Sequence, residues 1–215
     1  MIKIAPSILS ADFAKMGDAV RAVKSADMIH CDVMDGHFVP NISFGHKMVK
    51  DVRRVTQLPL DVHLMIENPE KYLDIFIAAG ADYVVIHLES TDKIDFCLDK
   101  IRAAGRKCGV AISPDTPVRS LAPYITKCDL ALLMSVYPGF SGQSFLYGSL
   151  ERLTELKALR DKINKSCLIE IDGGIDEANI TEVARCGADI VVGGKAVFGG
   201  EYPAERVELL RNLCK

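Results

Sequence analysis

Histidine and aspartate side chains alternate in two short segments that read as β-strands. The first segment is His30-Cys31-Asp32 and the second is Asp61-Val62-His63. Since side chains two residues apart point to the same face of a strand, each segment presents an imidazole and a carboxylate together. Imidazole and carboxylate ligands suit a divalent metal such as Zn²⁺, Fe²⁺ or Mn²⁺. The pattern therefore favours a metal site if the two strands end side by side.

A third strand end, Glu170-Ile171-Asp172, supplies a further carboxylate. If it meets the first two, paired aspartates could also serve as general base and general acid. Each residue taken alone has a plainer interpretation, because a single His or Asp at a strand end commonly caps a loop or satisfies a hydrogen bond. The metal site and the structural interpretation both stay open at this point. His87 ends another strand and either supports such a site or is structural.

Glycine-rich segments follow three later strands. They are Pro138-Gly139-Phe140-Ser141-Gly142-Gln143, Gly173-Gly174 and Gly193-Gly194-Lys195. Loops of this kind, with the N-terminus of a short helix, commonly bind phosphate in α/β barrels, and residues 196–198 could form that helix. The sequence has neither G-x-G-x-x-G nor G-x-x-x-x-G-K-[ST], so Rossmann and P-loop sites lack support.

Together, these groups predict proton abstraction next to the carbonyl of a small sugar phosphate. A metal would hold the carbonyl oxygen and stabilise the enediolate, while two aspartates on opposite faces would invert the carbon. Three methionines, Met34, Met65 and Met134, end strands at a similar depth. Core packing is the usual role of methionine, but their shared position also fits an apolar cap over the site.

Short apolar runs alternate with amphipathic stretches along the chain, which predicts eight parallel strands with helices between them. The predicted strands are Lys3–Ser7, Met28–Met34, Leu60–Met65, Tyr83–His87, Lys107–Ile112, Leu130–Met134, Leu168–Asp172 and Ile190–Gly193. Helices are predicted, among others, over Asp12–Lys24, Lys93–Ala104, Glu151–Lys162 and Glu177–Cys186. Dividing 215 residues by eight leaves about 27 for each unit, so we expect a single domain over residues 1–215.

An aspartate precedes every second predicted strand. These residues are Asp27, Asp82, Asp129 and Asp189, and the second and fourth belong to a Gly-Ala-Asp motif. A doubly wound open sheet predicts no such alternation. A closed (β/α)8 TIM barrel does, because alternate strands fill its interior layers. Its active site would lie where the strands end, which is where the candidate residues fall.

Composition excludes several classes of protein. The formal net charge is −3, which argues against nucleic-acid binding through a basic face. No apolar run approaches the length of about 20 residues that crosses a membrane. The seven cysteines are odd in number and show no C-x-x-C spacing. They indicate reduced thiols in a cytoplasmic protein rather than disulfides or a zinc cluster.

The sequence motifs resemble those of the ribulose-5-phosphate 3-epimerase family over nearly the whole chain, in order. The resemblance is carried by residues 5–13, 30–41, 60–65 and 134–143, and by Asp172-Gly173-Gly174. It implies a TIM barrel of the ribulose-phosphate-binding type and the interconversion of D-ribulose 5-phosphate and D-xylulose 5-phosphate in the pentose phosphate pathway. It also implies a homo-oligomer, either a dimer or a hexamer.

The resemblance further implies one divalent metal ion, Zn²⁺ or Fe²⁺ first and Mn²⁺ or Co²⁺ as alternatives. The implied metal ligands are His30, Asp32, His63 and Asp172, of which Asp32 and Asp172 are also the acid/base pair. The implied substrate-binding residues are Ser7, His63, Gly139, Gly142, Gly173, Gly174, Gly194 and Lys195. Met34, Met65 and Met134 correspond to a cap over the intermediate.

The sequence departs from the family pattern at four positions near the expected site. Ser113 replaces the more usual Asn, Tyr137 stands where Asn or Glu is common, and Ser141 replaces a Gly. Lys195 stands where Ser or Thr is usual, and its cation either reinforces phosphate binding or points to solvent. These departures leave allulose-6-phosphate 3-epimerase, which acts on a ketohexose 6-phosphate, as an alternative. A non-catalytic phosphosugar-binding barrel is the alternative from a different class.

Overall fold

Eight parallel strands form one sheet in the computed structural model, which describes residues 2–214. The strands are β1 Lys3–Pro6, β2 Ile29–Met34, β3 Leu60–Met65, β4 Tyr83–His87, β5 Lys107–Ile112, β6 Leu130–Met134, β7 Leu168–Asp172 and β8 Ile190–Gly193. Their spatial order follows the chain, with β1 next to β8. A parallel bridge between Ser7 and His30 brings the first and second strands together. The predicted (β/α)8 barrel is confirmed.

Helices connect the strands and cover the outside of the sheet. Those of residues 2–214 are α1 Met16–Ala22, α2 His46–Arg53, α3 Leu73–Ala79, α4 Ile94–Ala103, α5 Ala122–Ile125, α6 Ser149–Ile163, α7 Ile180–Cys186, α8 Lys195–Phe198 and α9 Pro203–Leu213. In this part of the chain, no helix combines the length and the apolar character needed to cross a membrane. The short α8 follows β8 directly, where the sequence predicted a short helix.

Apolar side chains form two layers, one inside the barrel and one between the sheet and the helices. On β6, Leu130 and Leu132 point into the barrel, whereas Ala131 and Leu133 face the helices. Burial on both faces explains why the strands are almost uninterrupted apolar runs. A third, small group, Met34, Val39 and Met65, lies at the carboxyl end of the barrel. Side chains therefore fill the interior of the barrel below this end.

Three element boundaries differ from the predicted ones because side chains form hydrogen bonds with nearby backbone. Ser7 leaves β1 because its hydroxyl accepts from Leu9 N–H and caps a 3-10 turn. The helix predicted over Asp12–Lys24 is divided, since the Asp12 carboxylate caps a separate 3-10 turn before α1. The helix predicted from Glu177 begins at Ile180, after a turn in which Ala178 N–H donates to Asp176. Such competing turns are common where Ser or Asp precedes a helix.

The four aspartates that precede the even strands act as clamps at the amino end of the barrel. Each carboxylate accepts a backbone N–H from the strand before it, at 2.8–3.0 Å; the donors are Ile4, Leu60, Cys108 and Ile169. Each also pairs with a cation at 2.8–2.9 Å; the cations are Arg211, Arg53, Lys107 and Arg160. The aspartates that precede alternate strands therefore make the same two contacts, a backbone hydrogen bond and an ion pair, four times around the barrel.

Candidate active site and metal centre

The register between β2 and β3 aligns the candidate residues in three layers. His30 lies beside Asp61, Asp32 beside His63, and Met34 beside Met65. Since these pairs alternate with outward-facing residues, all six side chains point into the barrel. The layer of Asp32 and His63 lies between the methionine layer, at the carboxyl end of the strands, and the layer of His30 and Asp61, deeper in the barrel.

Asp172, from β7, meets this layer from another side of the barrel. Asp32 Oδ1 lies 3.2 Å from both His30 Nε2 and His63 Nδ1. Asp172 Oδ2 lies 3.8 Å from His30 Nε2 and 3.9 Å from His63 Nδ1. The four side chains each offer one ligand atom, and these atoms all lie within 4.8 Å of one another. This His/Asp cluster could hold a divalent metal ion.

Burial makes the charges in this cluster strongly dependent on one another. Although burial opposes ionisation, contacts with His30 and His63 hold the pKa of Asp32 below its ordinary value. Burial and the charge on Asp32 raise the pKa of Asp172 to about 7. Burial also lowers the pKa of His63 to about 4, which leaves this imidazole neutral, the form that binds metals. The two aspartates thus differ in their tendency to hold a proton.

A second acidic pair lies beneath the cluster, in the closed part of the barrel. Asp61 Oδ2 accepts from His30 Nδ1 at 2.5 Å, and Glu170 Oε1 lies 3.6 Å from the same nitrogen. Both carboxyl groups are inaccessible to solvent. Burial and the neighbouring Asp61 raise the pKa of Glu170 well above its ordinary value. Because His30 Nδ1 donates to Asp61, its Nε2 is the nitrogen directed at the cluster.

His63 reaches a carboxylate less directly. Its Nε2 lies 2.8 Å from His87 Nε2, and His87 Nδ1 lies 3.0 Å from Glu89 Oε2. His87 is fully buried, which fits both the supporting and the structural interpretation that the sequence left open for it. Glu89 was not among the residues that the sequence predicted. Its position two residues after His87 was the only signal that could have found it.

A cavity of about 510 Å³ opens above the cluster at the carboxyl end of the strands. Asp32 and Asp172 lie at its floor, and it extends towards the late loops. Among the predicted residues, those that line it are Ser7, Asp32, Met34, Met65, Met134, Gly139, Gly142, Asp172, Gly173, Gly174, Gly194 and Lys195. His30 and His63 lie beneath this lining and are fully buried. The cavity thus joins the carboxylates to the glycine-rich segments.

The loop after β7 requires glycine at Gly174. This residue has φ +66°, and a Cβ there would lie 2.3 Å from the backbone nitrogen of Phe145. A side chain would therefore push apart two backbone segments that line the same cavity. Lys195 begins α8 after the neighbouring strand β8, and its Cδ would be 3.6 Å from a Cβ at Gly142. Its aliphatic stem thus lies along the loop after β6.

Ser7 and the three methionines surround the candidate carboxylates. The Ser7 hydroxyl donates to Asp32 Oδ2 at 2.5 Å, which leaves Oδ1 facing the two imidazoles. Met34, Met65 and Met134 are almost fully buried and line the cavity beside Asp32. Of the unusual residues, Tyr137 donates from its hydroxyl to Asp115 at 2.9 Å on the rim, and Ser113 donates its backbone N–H to Glu89.

Comparison with known proteins agrees with this geometry. A model of the ribulose-phosphate 3 epimerase family matches residues 3–198. The ribulose-phosphate 3-epimerase of Aquifex aeolicus is 47% identical over 212 residues, which cover 98% of this chain and 96% of the relative. The enzyme of the same name from Bacillus subtilis is 48% identical over 202 residues, which cover 93% of each chain.

Solved structures at low sequence identity share the fold. KGPDC from Streptococcus mutans matches with a TM-score of 0.77 at 11% identity, covering 100% of this chain and 97% of that chain. The 3-hexulose-6-phosphate synthase from Salmonella typhimurium matches with a TM-score of 0.74 at 16% identity, covering 99% and 98%. At such identities the likeness supports the barrel alone, and not the reaction.

Proposed function

The chain belongs to the ribulose-phosphate 3-epimerase family and is an isomerase, and from that membership we propose that it interconverts D-ribulose 5-phosphate and D-xylulose 5-phosphate in the pentose phosphate pathway. The observation that carries the proposal is the pair of carboxylates, Asp32 and Asp172, at the floor of one cavity. They come from strands on different sides of the barrel, β2 and β7. A planar intermediate between them could lose a proton on one face and gain one on the other.

In the proposed mechanism the two aspartates alternate as base and acid. Asp32 is held ionised by its imidazole neighbours and by Ser7, and Asp172 retains a proton more readily. Two carboxyl groups whose surroundings drive their pKa values apart are a recurrent arrangement for paired proton transfer. Asp32 would take the C3 proton from one epimer while Asp172 delivers a proton to the opposite face, and the reverse reaction exchanges their roles. The methionine cap would exclude water from the intermediate.

The residues around these aspartates fit a divalent metal ion. His30, Asp32, His63 and Asp172 supply nitrogen and oxygen ligands, a set that suits Zn²⁺ or Fe²⁺ and also accepts Mn²⁺ or Co²⁺. Although burial opposes it, the carboxylates of Asp32 and Asp61 raise the pKa of His30 well above its ordinary value, so this cluster favours positive charge, which a cation could supply in place of the proton. A bound ion would supply the positive charge that stabilises the enediolate. Asp61 would orient His30 by accepting its Nδ1–H.

The phosphate of the substrate would bind at the late loops. Gly142, Gly174 and Gly194 line the end of the cavity that lies away from the imidazoles, and α8 begins there. Loops of this kind in barrels provide backbone N–H donors to phosphate. The substrate would then extend from this anchor to the aspartates, with C3 between them. All eight strands belong to one sheet, which supports our proposal that residues 1–215 form a single domain.

The substrate proposal predicts a preference between two phosphorylated ketoses. The purified protein should show a higher kcat/KM for D-ribulose 5-phosphate than for D-allulose 6-phosphate, measured side by side at saturating metal. A preference for the hexose by more than about tenfold, or about 1.4 kcal/mol in transition-state binding, would contradict the proposal. Incorporation of solvent deuterium at C3 separates an enzyme from a non-catalytic sugar-phosphate sensor, because a sensor catalyses no exchange.

Lys195 provides a test of the phosphate anchor. Lys195→Met should raise KM for ribulose 5-phosphate by about three- to tenfold, since a charged donor at an exposed position is worth about 0.7–1.4 kcal/mol after solvent screening. The value of kcat should change little, because phosphate binding is shared by ground state and transition state. Steady-state kinetics at low and high salt measures the effect. Lys24→Met, at the other end of the barrel, is the matched control.

An unchanged KM in Lys195→Met, at low salt, would mean that this side chain points to solvent and that the backbone alone anchors the phosphate.

Beyond the active site, we propose a cytoplasmic homo-oligomer, either a dimer or a hexamer. The seven cysteines support a reducing compartment, since all are free thiols. Light scattering of the purified protein would measure the oligomeric state.

A further inference from the structure

A chain of side chains leads from His63 to the edge of the barrel. His63 and His87 meet through their Nε2 atoms at 2.8 Å, with their ring planes only 23° apart and their centroids separated by 5.0 Å. The short nitrogen distance and the larger centroid separation mean that the rings meet edge to edge, as a hydrogen bond requires. Only one of the two nitrogens can carry the proton of this bond. The direction of the bond therefore depends on what His87 does at its other nitrogen.

Glu89 determines that direction. Its Oε2 lies 3.0 Å from His87 Nδ1, and its Oε1 accepts from Ser113 N–H at 2.8 Å and from the Thr116 hydroxyl. Although burial opposes ionisation, bonds from His87 and Thr116 lower the pKa of Glu89 to about 2. An ionised carboxylate only accepts hydrogen bonds, so the proton between Glu89 and His87 belongs to His87 Nδ1.

The remaining steps follow from the hydrogen-bonding capacity of imidazole. If His87 is in its neutral form and donates from Nδ1, its Nε2 has only a lone pair and accepts the bond from His63. His63 then donates from Nε2, and its own Nδ1 is left with a lone pair. That Nδ1 faces Asp32 and Asp172, at 3.2 and 3.9 Å, so in this tautomer it no longer donates to Asp32 Oδ1, and a cation between the two atoms would take the place of that proton.

We propose that Glu89 and His87 are positioning residues that hold His63 in its Nε2–H tautomer, so that the Nδ1 lone pair faces the metal position. The inference rests on the proposed function, because the hydrogen-bonded series of His63, His87 and Glu89 has this role only if a cation binds beside His63. It adds two residues to the machinery of the site. It also explains why His30 and His63 would bind through different ring nitrogens. His30 donates Nδ1–H directly to Asp61, whereas His63 reaches its carboxylate through a second imidazole.

The surrounding structure fixes the far end of this chain. His87 lies beside Ala111 in the β4–β5 ladder, and the small neighbour leaves room for the imidazole inside the barrel. Arg152, from α6, donates to the carbonyl oxygens of Ser113 and Thr116, each at 2.9 Å. The loop that holds Glu89 is thereby attached to a helix. Supports of this kind around metal-binding histidines typically contribute about 10- to 100-fold in metal affinity.

The test compares zinc affinity across variants, measured by competition with a chromophoric chelator. His87→Leu, which removes the acceptor for His63, should weaken zinc binding by about 10- to 100-fold. His87→Gln keeps a side-chain oxygen that can accept from His63 Nε2–H, so it should recover most of that loss. Glu89→Ala should weaken binding less, because His87 remains but its tautomer is free. His46→Leu, at the exposed start of α2, is the control and should bind zinc like the unmodified protein.

A double-mutant cycle separates positioning from a general loss of structure. If Glu89 acts through His87, then adding Glu89→Ala to His87→Leu should cause no further loss of zinc affinity. Additive losses of zinc affinity would contradict the proposal that Glu89 acts through His87. A zinc affinity of His87→Gln as low as that of His87→Leu would contradict it as well. Thermal unfolding of each metal-free variant identifies those that fail to fold, and the partly exposed Glu89 remains testable if His87→Leu does not fold.

Histidine side-chain ¹⁵N spectra of the zinc-loaded protein read the tautomers directly. His63 should carry its proton on Nε2 and His87 on Nδ1; a proton on His63 Nδ1 would overturn the inference. Failure of the inference is distinct from failure of the proposed function. If the unmodified protein binds zinc and His87→Leu binds it equally well, only the inference is wrong. If the unmodified protein binds no divalent metal, the proposed metal site and the role of the chain are both wrong.

Discussion

Replacing Asp172 by asparagine is expected to lower kcat for C3 inversion by about 100- to 10,000-fold, the range over which a positioned proton donor contributes. Asparagine keeps the shape of the side chain and one oxygen that could still contact a metal, but it cannot transfer a proton. In the metal-free protein, burial and the charge of Asp32 raise the pKa of Asp172 to about 7, so this carboxyl group can hold a proton near neutral pH. Stopped assays of ribulose 5-phosphate conversion measure the loss.

Solvent exchange makes this experiment more specific. If each aspartate serves one face of the intermediate, Asp172→Asn should slow inversion by that factor, while the epimer whose proton faces Asp32 still exchanges C3 hydrogen with deuterium oxide. The metal content of the variant must be measured alongside, because Asp172 is also a proposed ligand. Asp18→Asn, an exposed substitution on α1, is the control. A kcat equal to that of the unmodified enzyme would remove Asp172 from the mechanism.

Removing the metal is expected to reduce turnover by a hundredfold or more. The charge that a cation supplies to an enediolate is worth several kcal/mol. Dialysis against a strong chelator, followed by elemental analysis and a coupled assay, measures the effect. Adding one equivalent of Zn²⁺, Fe²⁺, Mn²⁺ or Co²⁺ should restore turnover.

Calcium provides the control for this restoration, because it prefers six to eight oxygen ligands and is poorly matched to two imidazoles. Calcium should therefore leave the chelated enzyme inactive. Full turnover in protein shown by elemental analysis to hold no transition metal would refute the metal-dependent mechanism. It would not affect the family membership, which rests on the sequence comparison.

The barrel could be predicted from the sequence because its strands are buried on both faces and its repeats are regular. Leu60–Met65 and Leu130–Met134 match the predicted strands at both ends, since each apolar run stops where the chain turns. The first residues of the two Gly-Ala-Asp motifs, Gly80 and Gly187, end α3 and α7 with φ of +105° and +107°, a conformation that glycine adopts readily. Errors occurred at Ser7, at Asp12 and before α7, where side chains bond to nearby backbone and form turns that periodicity does not detect.

The candidate site was predictable to the extent that its residues alternate along strands. His30, Asp32 and His63 follow the period of two and meet as expected in the β2–β3 register. Asp172 is distant in the sequence, and its approach depends on closure of the barrel. Glu89 was missed, because apart from its position two residues after His87 its contacts come from the tertiary packing of the β4 end against the loop after β5. Hydrogen bonds between loops leave no periodic trace in a sequence.

The four aspartate clamps have a consequence for how the chain folds. Each clamp closes a segment of 23, 22, 21 or 20 residues and joins β1 to β2, β3 to β4, β5 to β6 or β7 to β8. Loop-closure entropy rises only slowly with length, so these four nearly equal closures cost similar amounts and are local in the sequence. Each clamp thus defines one two-stranded quarter of the barrel, held by a contact that is local in the sequence.

The proposed metal ligands come from three different quarters. His30 and Asp32 belong to the first, His63 to the second and Asp172 to the fourth. No single quarter contains the complete set, so high-affinity binding would require the joined barrel, and a bound ion would stabilise that state over its separated parts. During folding, the ion would therefore bind after the clamps have formed, and it would link segments that are far apart in the sequence.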